Sequence, residues 1–525
     1  MNILEQYKLY RNQKLRERVL PIFDDYFKGL TGSPLKEWQK DKRQELQAME
    51  YRMWFEGKQE KIEWFYKQYM INVADNYSLL YRNNLFWRVV KSDSVKLHFP
   101  LAGMISDAMA NLLFHEAPEL SMEAKNEKDT KLLTEILVNT LEENSFDELL
   151  QKGGQLESYS GTLACRVIID TNFSEYPIIK FHPASEFELV DEYGRVKEIV
   201  FNDIYTYNKK KYVLKSHYGK GYIRYLLFDE RDKEVSLNTI PETSQLKDIF
   251  LIDKNGNPLK LLLATYKVNR TCDNEFIDSL YGESDYSSLM DAFQAIDETY
   301  SAIIDRVRKG HILTAVSEDL TQVDQYGNRK KIDDYQVKTI VLNSNPDPNL
   351  KSVYDRTIPN IDISGLYESL QQMLRNALSR VGLSPITVIE NLGGANASAQ
   401  ALEIREGVSA RTRETKIRLW EKFLNDISRL IFIFYSMQIA GVYLQDDKQI
   451  AYKIDNDGSE YEYKCVFPPY KPETWQERLP SVAEALEAGL IDKESALEKL
   501  WKDEYTEDEL QKMKDNIDGI INMED

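Results

Sequence analysis

The chain has 525 residues, of which 42% are hydrophobic and 11% aromatic, including 32 tyrosines. This composition excludes a disordered protein, and the length allows several domains with large buried cores. The formal net charge of −19 argues against a free nucleic-acid-binding protein, because such proteins neutralise phosphates with a basic face.

The N-terminal half combines a helical region with a sheet. The first 150 residues are predicted to be mostly helical, most clearly at 36–56 and 125–151, and their charged start is unlike a signal peptide. Between 161 and 263, short segments rich in Tyr, Val and Ile alternate with turn residues, and residues 219–221 suit a hairpin connection. This region is predicted to form an antiparallel sheet, which gives the chain an α+β fold.

Two amphipathic helices are predicted around a short β region. The first covers 284–309, where apolar residues recur every three or four positions and Asp285 suits the positive end of the helix dipole. The second covers 362–381, with a glycine and a proline after it. Residues 312–358 between them read as strands and turns.

A basic cluster lies on the predicted turn of this β region. It consists of Arg329, Lys330 and Lys331. Two interpretations remain open: the solvated tip of a hairpin, or a surface for an acidic protein partner or for DNA.

The stretch VIENLGGANASAQALE, residues 388–403, places very small residues between two helical segments. A phosphate-binding Walker loop requires a Lys after its last glycine, and none follows here. The local sequence alone favours an ordinary helix–helix turn.

The longest helical pattern runs from 398 to 440, and its 43 residues would span about 65 Å. Gly407 costs about 1 kcal/mol of helix propensity relative to Ala and is a candidate kink. The apolar run 430–444 is shorter than the roughly twenty residues of a membrane-spanning helix, so it is predicted to be a buried helix end. The basic residues of this helix are expected to face solvent or to pair with acids of a neighbouring subunit; they are Arg405, Arg411, Arg413, Lys416 and Arg418.

The C-terminal part carries much of the negative charge. Residues 471–525 are predicted to form short helices joined by turns, and their net charge is −9. No internal repeat or low-complexity linker separates them from the rest of the chain.

No catalytic or metal-binding motif is apparent. The five histidines are dispersed, the three cysteines are isolated, and neither His-Glu-x-x-His nor Gly-x-Ser-x-Gly occurs. Residues 455–464 lack the Glu that an EF-hand needs at its twelfth position, so they are predicted to be a hairpin turn between two strands. No cofactor and no metal site are therefore expected.

Four segments resemble, in order and spacing, the portal (head–tail connector) proteins of tailed bacteriophages. MEYRMWFEGKQEKIEWF (49–65) is similar to the family's early aromatic and Glu-Gly segment, and FPLAGMISDAMANLLFHEAPEL (99–120) to the helix that enters its wing domain. The stretch 281–310 has a Gly-x-Ser-x-Tyr-like start, and 396–406 resembles the beginning of the family's long helix. The core residues of the 281–310 segment are Ala295, Asp297, Tyr300 and Ser301.

The resemblance implies a portal fold whose parts follow the chain order. The expected parts are a wing at 1–283, a first stem helix at 284–311, a clip at 312–358, a second stem helix at 359–384, a tunnel loop at 385–398, a long wing helix with strands at 399–468 and a helical crown at 469–525. Because the tail is modest, no large crown or barrel extension is expected.

The resemblance also implies a function. Similar proteins form rings of about twelve subunits at one capsid vertex. They are structural proteins rather than enzymes, and double-stranded DNA enters and leaves the capsid through the ring. The expected partners are further copies of the chain, the terminase large subunit, the neck or tail adaptor, and the major capsid and scaffold proteins. The expected location is the virion vertex, reached from the host cytoplasm, with no membrane contact. A capsid or scaffold assembly protein and a metal-dependent DNA-packaging nuclease are the alternatives.

Three groups of residues become candidate sites through this resemblance. The DNA-facing loop residues would be Asn391, Gly393, Gly394, Asn396 and Ser398. The tunnel-lining stem residues would be Glu368, Gln371, Gln372 and Arg375, and the partner-binding residues of the clip would be Arg329, Lys330 and Lys331. Small uncharged side chains would let a duplex slide past, and the acidity would repel DNA from the walls or simply keep the protein soluble.

Overall fold

The chain forms two units, Met1–Val466 and Phe467–Asp525, in a computed structural model. The structure describes residues 48–66, 85–88, 96–270, 279–309, 312–317, 337–342, 354–357, 363–389, 399–446, 448–470, 479, 482–486 and 496. Both helices and sheets make up the first unit, which confirms the α+β class.

Residues 48–56 are helical, and nine further helices of the first unit are described. They are α1 Gln59–Trp64, α2 Leu85–Arg88, α3 Leu101–Phe114, α4 Glu127–Glu143, α5 Phe146–Ser160, α6 Met290–Lys309, α7 Ser364–Arg380, α8 Pro385–Val388 and α9 Ala399–Ala440.

Sixteen strands are described in the same unit. They are β1 Glu119–Glu123, β2 Thr162–Ile168, β3 Ile178–Pro183, β4 Phe187–Glu192, β5 Arg195–Tyr207, β6 Lys210–Gly219, β7 Tyr222–Asp229, β8 Glu234–Val235, β9 Asp248–Ile252, β10 Ala264–Val268, β11 Ile312–Ser317, β12 Val337–Leu342, β13 Tyr354–Thr357, β14 Leu444–Gln445, β15 Gln449–Lys453 and β16 Glu462–Val466.

These strands form four described sheets. The largest has the order β14-β15-β9-β7-β6-β5-β4, with β8 beside β7, and every neighbouring pair except β15 and β9 is antiparallel. A second sheet has the antiparallel order β10-β2-β3. The predicted antiparallel region is therefore confirmed, and so is the hairpin at 219–221, because Gly219 pairs with Tyr222 across a two-residue turn.

The helical region 125–151 was predicted as one span but contains a break. Ser145 has a φ of 45°, which ends α4 and starts α5 in a new direction. The side chain of Asn144 fixes this break, since its Oδ1 accepts from Ile179 N at 2.8 Å and its Nδ2 donates to Pro177 O at 2.9 Å.

The small sheet between α6 and α7 is not a hairpin. Its order is β12-β11-β13, and β11 pairs in parallel with β12 and antiparallel with β13. Parallel neighbours cannot be joined by a tight turn, so β11 and β12 do not form a hairpin with each other. The cluster itself lies outside the described residues.

The predicted hairpin around 455–464 is wrong. β15 pairs with β14 and β9, whereas β16 pairs with β1 in a separate two-stranded sheet. The local alternation of polar and apolar residues identified the strands but carried no information about their partners.

The long helix agrees closely with its prediction. α9 contains 42 residues and continues through Gly407. The apolar run 430–444 is buried in its first part, where Leu430, Ile431, Ile433 and Phe434 are at most 2% exposed. Residues 439–444 are exposed, so the prediction of a buried helix end is wrong for the last six residues of the run. Within the described ranges, no helix has the combination of length and apolar content that crossing a membrane requires.

The second unit is described at few positions. Residues 479, 482–486 and 496 are helical, and Val482 and Ala496 are buried. This is consistent with a helical character for the acidic C-terminal segment.

Candidate functional site

The helices α6 and α7 pack against each other. In the sequence, α6 precedes the small β12-β11-β13 sheet and α7 follows it. Both are amphipathic, and their buried faces include Phe293, Ile296 and Leu374. Thr299 Oγ1 on α6 lies 3.7 Å from the sulfur of Met373 on α7. The two helices thus lie side by side, and each has a buried apolar face and a polar face.

The four tunnel-lining candidates on α7 do not share one environment. Glu368 and Gln372 are exposed, and Gln372 Nε2 donates to Asn376 Oδ1 at 3.1 Å. Gln371 and Arg375 are half-buried at the margins of the apolar stripe. In the isolated chain, Glu368 and Gln372 are therefore more accessible to solvent than Gln371 and Arg375.

The loop candidates and the basic clip residues lie outside the described residues. This applies to Asn391, Gly393, Gly394, Asn396 and Ser398, and to Arg329, Lys330 and Lys331. Their assignment continues to rest on sequence.

The buried carboxylate of Asp297 attaches α6 to the extended segment 96–100. Its Oδ1 accepts from Phe99 N at 2.7 Å, and its Oδ2 lies 2.9 Å from His98 Nδ1 and accepts from Trp87 Nε1 at 3.2 Å. Burial raises the pKa of Asp297, although these hydrogen bonds oppose the change.

Two further residues of α6 reinforce this attachment. Ser301 Oγ accepts from Leu97 N at 2.9 Å and donates to Leu97 O at 3.2 Å. The ring of Tyr300 packs edge-to-face on Phe99 with centroids 5.8 Å apart. The positions singled out in the sequence thus hold the segment that leads into α3.

Residues 282–286, just before α6, cross the body in close contact with the end of α5. Gly161 has a φ of +75°, and a Cβ there would lie 2.3 Å from Gly282 O, so only glycine fits this crossing. Ser284 Oγ donates to Ser158 O at 3.0 Å, and Tyr286 Oη donates to Tyr51 O at 3.1 Å.

Asp285 belongs to this crossing and not to a helix. α6 begins at Met290 after a 3-10 turn at Ser287–Leu289, so the predicted helix-dipole role of Asp285 is wrong. Its carboxylate accepts from Lys416 Nζ on α9 and from Asn269 Nδ2, each at 2.9 Å. Burial alone would raise the pKa of Asp285, but Lys416 and Asn269 outweigh it and lower the pKa.

A second buried ion pair lies one turn further along α9. Lys267 of β10 pairs with Glu157 of α5, and Trp420 Nε1 donates to the other carboxylate oxygen at 2.7 Å. The Lys267 ammonium also lies 4.3 Å from the centre of the Trp420 ring. Burial lowers the pKa of Lys267 to about 8, even though Glu157 favours its charged form.

The expectation that Arg413 and Lys416 face solvent or another subunit is wrong. Arg413 is 7% exposed and its Nε donates to Leu112 O at the end of α3 over 2.8 Å, while Lys416 is 5% exposed. We call the two ion pairs Lys416–Asp285 and Lys267–Glu157, with Asn269 and Trp420, the polar anchor.

The chain matches the family model described as "Phage portal protein, SPP1 Gp6-like" over residues 55–523. The chain belongs to the phage portal protein family. No curated protein matches it. The family is structural rather than enzymatic, and membership implies a head–tail connector that forms a capsid-associated oligomeric ring at a vertex of the virion.

Three portal-like segments of the sequence meet around α6. Trp54, in the early aromatic segment, has its ring 5.3 Å from that of His98 and 5.3 Å from that of Phe293 on α6. Gly57 has a φ of +59° beside His98. Three of the four motifs that carry the portal resemblance thus meet at the first half of α6.

The polar anchor of this portal chain was missed in the sequence, although a signal was present. The buried stripe of α9 continues backwards at three- and four-residue spacing from Ile427 through Phe423 and Trp420 to Lys416 and Arg413. Extending the apolar stripe in this way would have placed two basic residues inside the body, where they need acidic or carbonyl partners.

Proposed function

We propose that about twelve copies of this chain close into a ring and that α6 and α7 line its conduit for double-stranded DNA. The observation that carries the proposal is the packed pair of α6 and α7, with the β12-β11-β13 sheet connecting them in sequence. In this arrangement the sheet is the clip, α6 and α7 are the stem, and α9 is the wing helix.

The DNA passes through the ring during packaging and again during ejection. The tunnel loop, 385–398, ends with residues 391–398, which carry no positive charge and are mostly small. Contacts of uncharged donors with phosphates are weak and involve little counterion rearrangement, so they let the duplex slide.

The charge of the chain suits a conduit that does not hold its cargo. A ring of twelve subunits carries roughly 230 formal negative charges, which keep a duplex away from the walls. Exposed Glu368 and Gln372 of α7 are the best placed of the stem candidates to face the duplex.

The clip is the docking surface for the terminase large subunit and later for the neck or tail adaptor. Its strands β12 and β13 form the two edges of its described sheet, and the basic residues 329–331 follow β11 in the sequence. Assembly takes place in the host cytoplasm beside the major capsid and scaffold proteins.

Electron microscopy with mass measurement tests the proposal. The purified full-length chain should give closed rings with an axial hole wide enough for a duplex and a mass of about twelve times 61.3 kDa by light scattering. A monodisperse monomer, an icosahedral shell or an open assembly would contradict the proposal, and the last two outcomes would favour a capsid or scaffold protein.

A further inference from the structure

The strand β10 has a free backbone edge. It is an outer strand of the β10-β2-β3 sheet, and β2 is its only partner among the described strands. Asn269 N donates to Gly161 O at 2.8 Å, one position beyond the last residue pair of the β10–β2 ladder. Since hydrogen-bonded pairs alternate along an antiparallel ladder, the backbone groups of Ala264, Tyr266 and Val268 point away from β2.

The other outer strand of this sheet supports the same alternation. Ile179 N on β3 donates to Asn144 Oδ1 and so points away from β2. Ile179 lies opposite Val167, which therefore turns its backbone groups toward β10, as Cys165 does two residues earlier opposite Thr265. The edge of β3 is thus closed by a side chain, whereas no described strand closes the edge of β10.

A groove of about 310 Å³ runs along this edge between β10 and α9. All five residues of β10 line it, whichever way their side chains point, so the backbone of the strand forms one wall. The other wall is a flank of α9 that includes Phe423 and Leu430, which are 1% and 2% exposed. Thr265 Oγ1 donates to Asp426 Oδ2 at 3.3 Å and holds the two walls together.

The shape and chemistry of the groove select an extended polypeptide. The five residues of β10 span about 17 Å and offer unpaired N–H and C=O groups at every second position. An added strand would pair with these groups, and its side chains would contact the apolar part of α9. A helix would leave them unpaired, because its own backbone groups are bonded internally.

The ring supplies the occupant. Membership of the portal family implies that a second copy of the chain lies beside every subunit. The groove carries the cations Lys422, which is exposed, and Arg429, which is half-buried, and a neighbouring copy of net charge −19 is rich in acidic side chains to bind them. We propose, resting on the ring of the proposed function, that an extended segment of the neighbouring subunit adds as a strand to the free edge of β10.

Such a contact is of the kind that closes a ring. The edge of β10 on one subunit would meet a different segment on the next, so the contact is heterologous and repeats in one direction around the axis. The groove is already formed in the single chain, which lowers the entropic cost of binding. Each subunit would both donate a strand and accept one.

A proline substitution tests the hydrogen bonds of the edge. Tyr266→Pro removes an N–H that points into the groove and leaves the ladder with β2 intact, since proline is tolerated on the open side of an edge strand. Tyr266→Ala loses the same aromatic ring but keeps this N–H. The proline variant should need at least about tenfold more protein than the alanine variant to place half of its chains in rings, measured by light scattering. Equal assembly of the two variants would overturn the proposal.

Photocrosslinking tests the occupant without depending on how the proline variant folds. p-Benzoylphenylalanine replaces Lys422 in the groove or, as a control, Arg411, which is exposed on α9 outside it. In rings of the portal chain alone, position 422 should give covalent subunit dimers, with the adduct located by mass spectrometry in an extended segment of the neighbour.

Three results of this experiment would overturn the proposal. They are an adduct within one subunit, equal dimer yields from both positions, and an adduct that forms only when other head proteins are co-expressed, which would assign the groove to one of those proteins. Absence of rings in the unmodified protein would instead refute the proposed function.

Discussion

Lys416 on α9 donates a hydrogen bond to Asp285 across 2.9 Å, and this buried pair joins the long helix to the crossing that leads into α6. Both side chains are at most 7% exposed, and Asn269 completes the site by binding each of them. α9 and the crossing that precedes α6 are thus connected through one small buried polar site.

Removing one partner of this pair should be strongly destabilising. In Lys416→Met, Asp285 keeps its buried charge without a cation, and the free energy of unfolding should fall by about 3–5 kcal/mol. Lys464→Met is the matched control, because its pair with Glu123 is nearly half exposed and should contribute less than about 1 kcal/mol.

Urea unfolding followed by circular dichroism measures both effects. The double variant Lys416→Met with Asp285→Asn should recover part of the loss, since no uncompensated charge remains inside. Equal destabilisation by the two Lys→Met substitutions would show that the anchor is no more important than a surface pair.

The second anchor pair predicts a dependence on alkaline pH. The pKa of Lys267 is about 8 in the folded chain against 10.5 for an ordinary lysine, so between these values the unfolded chain binds more protons. The free energy of unfolding should therefore rise with pH across this window, by up to about 1.4 kcal/mol per pH unit. Below pH 8, Lys267 is protonated in both the folded and the unfolded chain, so its contribution to the free energy of unfolding no longer changes with pH.

Comparison with a site that cannot titrate isolates this contribution. Lys267→Met with Glu157→Gln removes both charges and keeps an acceptor for Trp420 Nε1. Unfolding free energies of the two proteins are measured between pH 7.5 and about 10. Buried tyrosines such as Tyr159 add the opposite trend as the pH approaches the ordinary tyrosine pKa of about 10, but they do so equally in both proteins. A difference that stays constant over this range would refute the assigned pKa.

The carboxylate of Asp297 should control how easily the segment 96–100 detaches from α6. Asp297→Ala leaves the buried indole of Trp87 and the partly buried amide of Phe99 without their acceptor, which should cost about 1–3 kcal/mol for the indole and less for the amide. Asp291→Ala is the control, because Asp291 is exposed in the first turn of the same helix.

Hydrogen exchange gives a readout at defined amides. Exchange at Phe99 should accelerate in Asp297→Ala, and Leu97 should follow if Ser301 loses its position as well. Unchanged protection at both amides would show that α6 holds this segment by apolar packing alone.

Shortening the tunnel loop should affect DNA and not assembly. Deletion of 391–397 is expected to leave rings intact by electron microscopy but to reduce the amount of DNA packaged or retained. Replacement of the same seven residues by Gly and Ser is the control and should package normally, because slim uncharged side chains are kept. Full-length packaging by the deletion would refute the loop assignment.

Charge reversal in the clip should weaken the binding of a partner protein and leave the fold intact. Arg329→Glu, Lys330→Glu and Lys331→Glu together should lower the affinity for terminase or adaptor by at least about tenfold at low salt, and less at high salt. Lys209→Glu with Lys210→Glu is the control at the exposed β5–β6 turn. Unchanged affinity, measured by biolayer interferometry, would refute the assignment of residues 329–331 as a partner-binding site.

Periodicity predicted the helices well because burial of a long stripe repeats many times. α9 and α7 lie within two residues of their predicted limits. Strand partners were harder, since pairing depends on distant segments: β16 pairs with β1 across more than 300 residues, and β11 pairs in parallel with β12. Local alternation contains neither fact.

The candidate site was predictable in outline but not in its polar interior. The order of α6, sheet, α7 and α9 follows from periodicity, and the resemblance supplied their roles. Lys416 and Arg413 were expected outside because isolated lysine and arginine rarely enter a core. Asp285 was assigned to a helix terminus, because the sequence does not show that residues 282–286 cross another backbone at glycine positions.

Described side-chain attachments of α9 to the preceding segment begin near Ser409. The earliest described side-chain attachment is Ser409, whose Oγ accepts from Ser384 N at 2.8 Å, and Thr412 follows by donating to Gly382 O. Ten helical residues precede Ser409 and extend about 15 Å. Gly407 lies two residues before Ser409 with free space around it, and a helix bends readily at such a glycine, so a force on the residues ahead of it would flex α9 there and leave the anchored remainder in place.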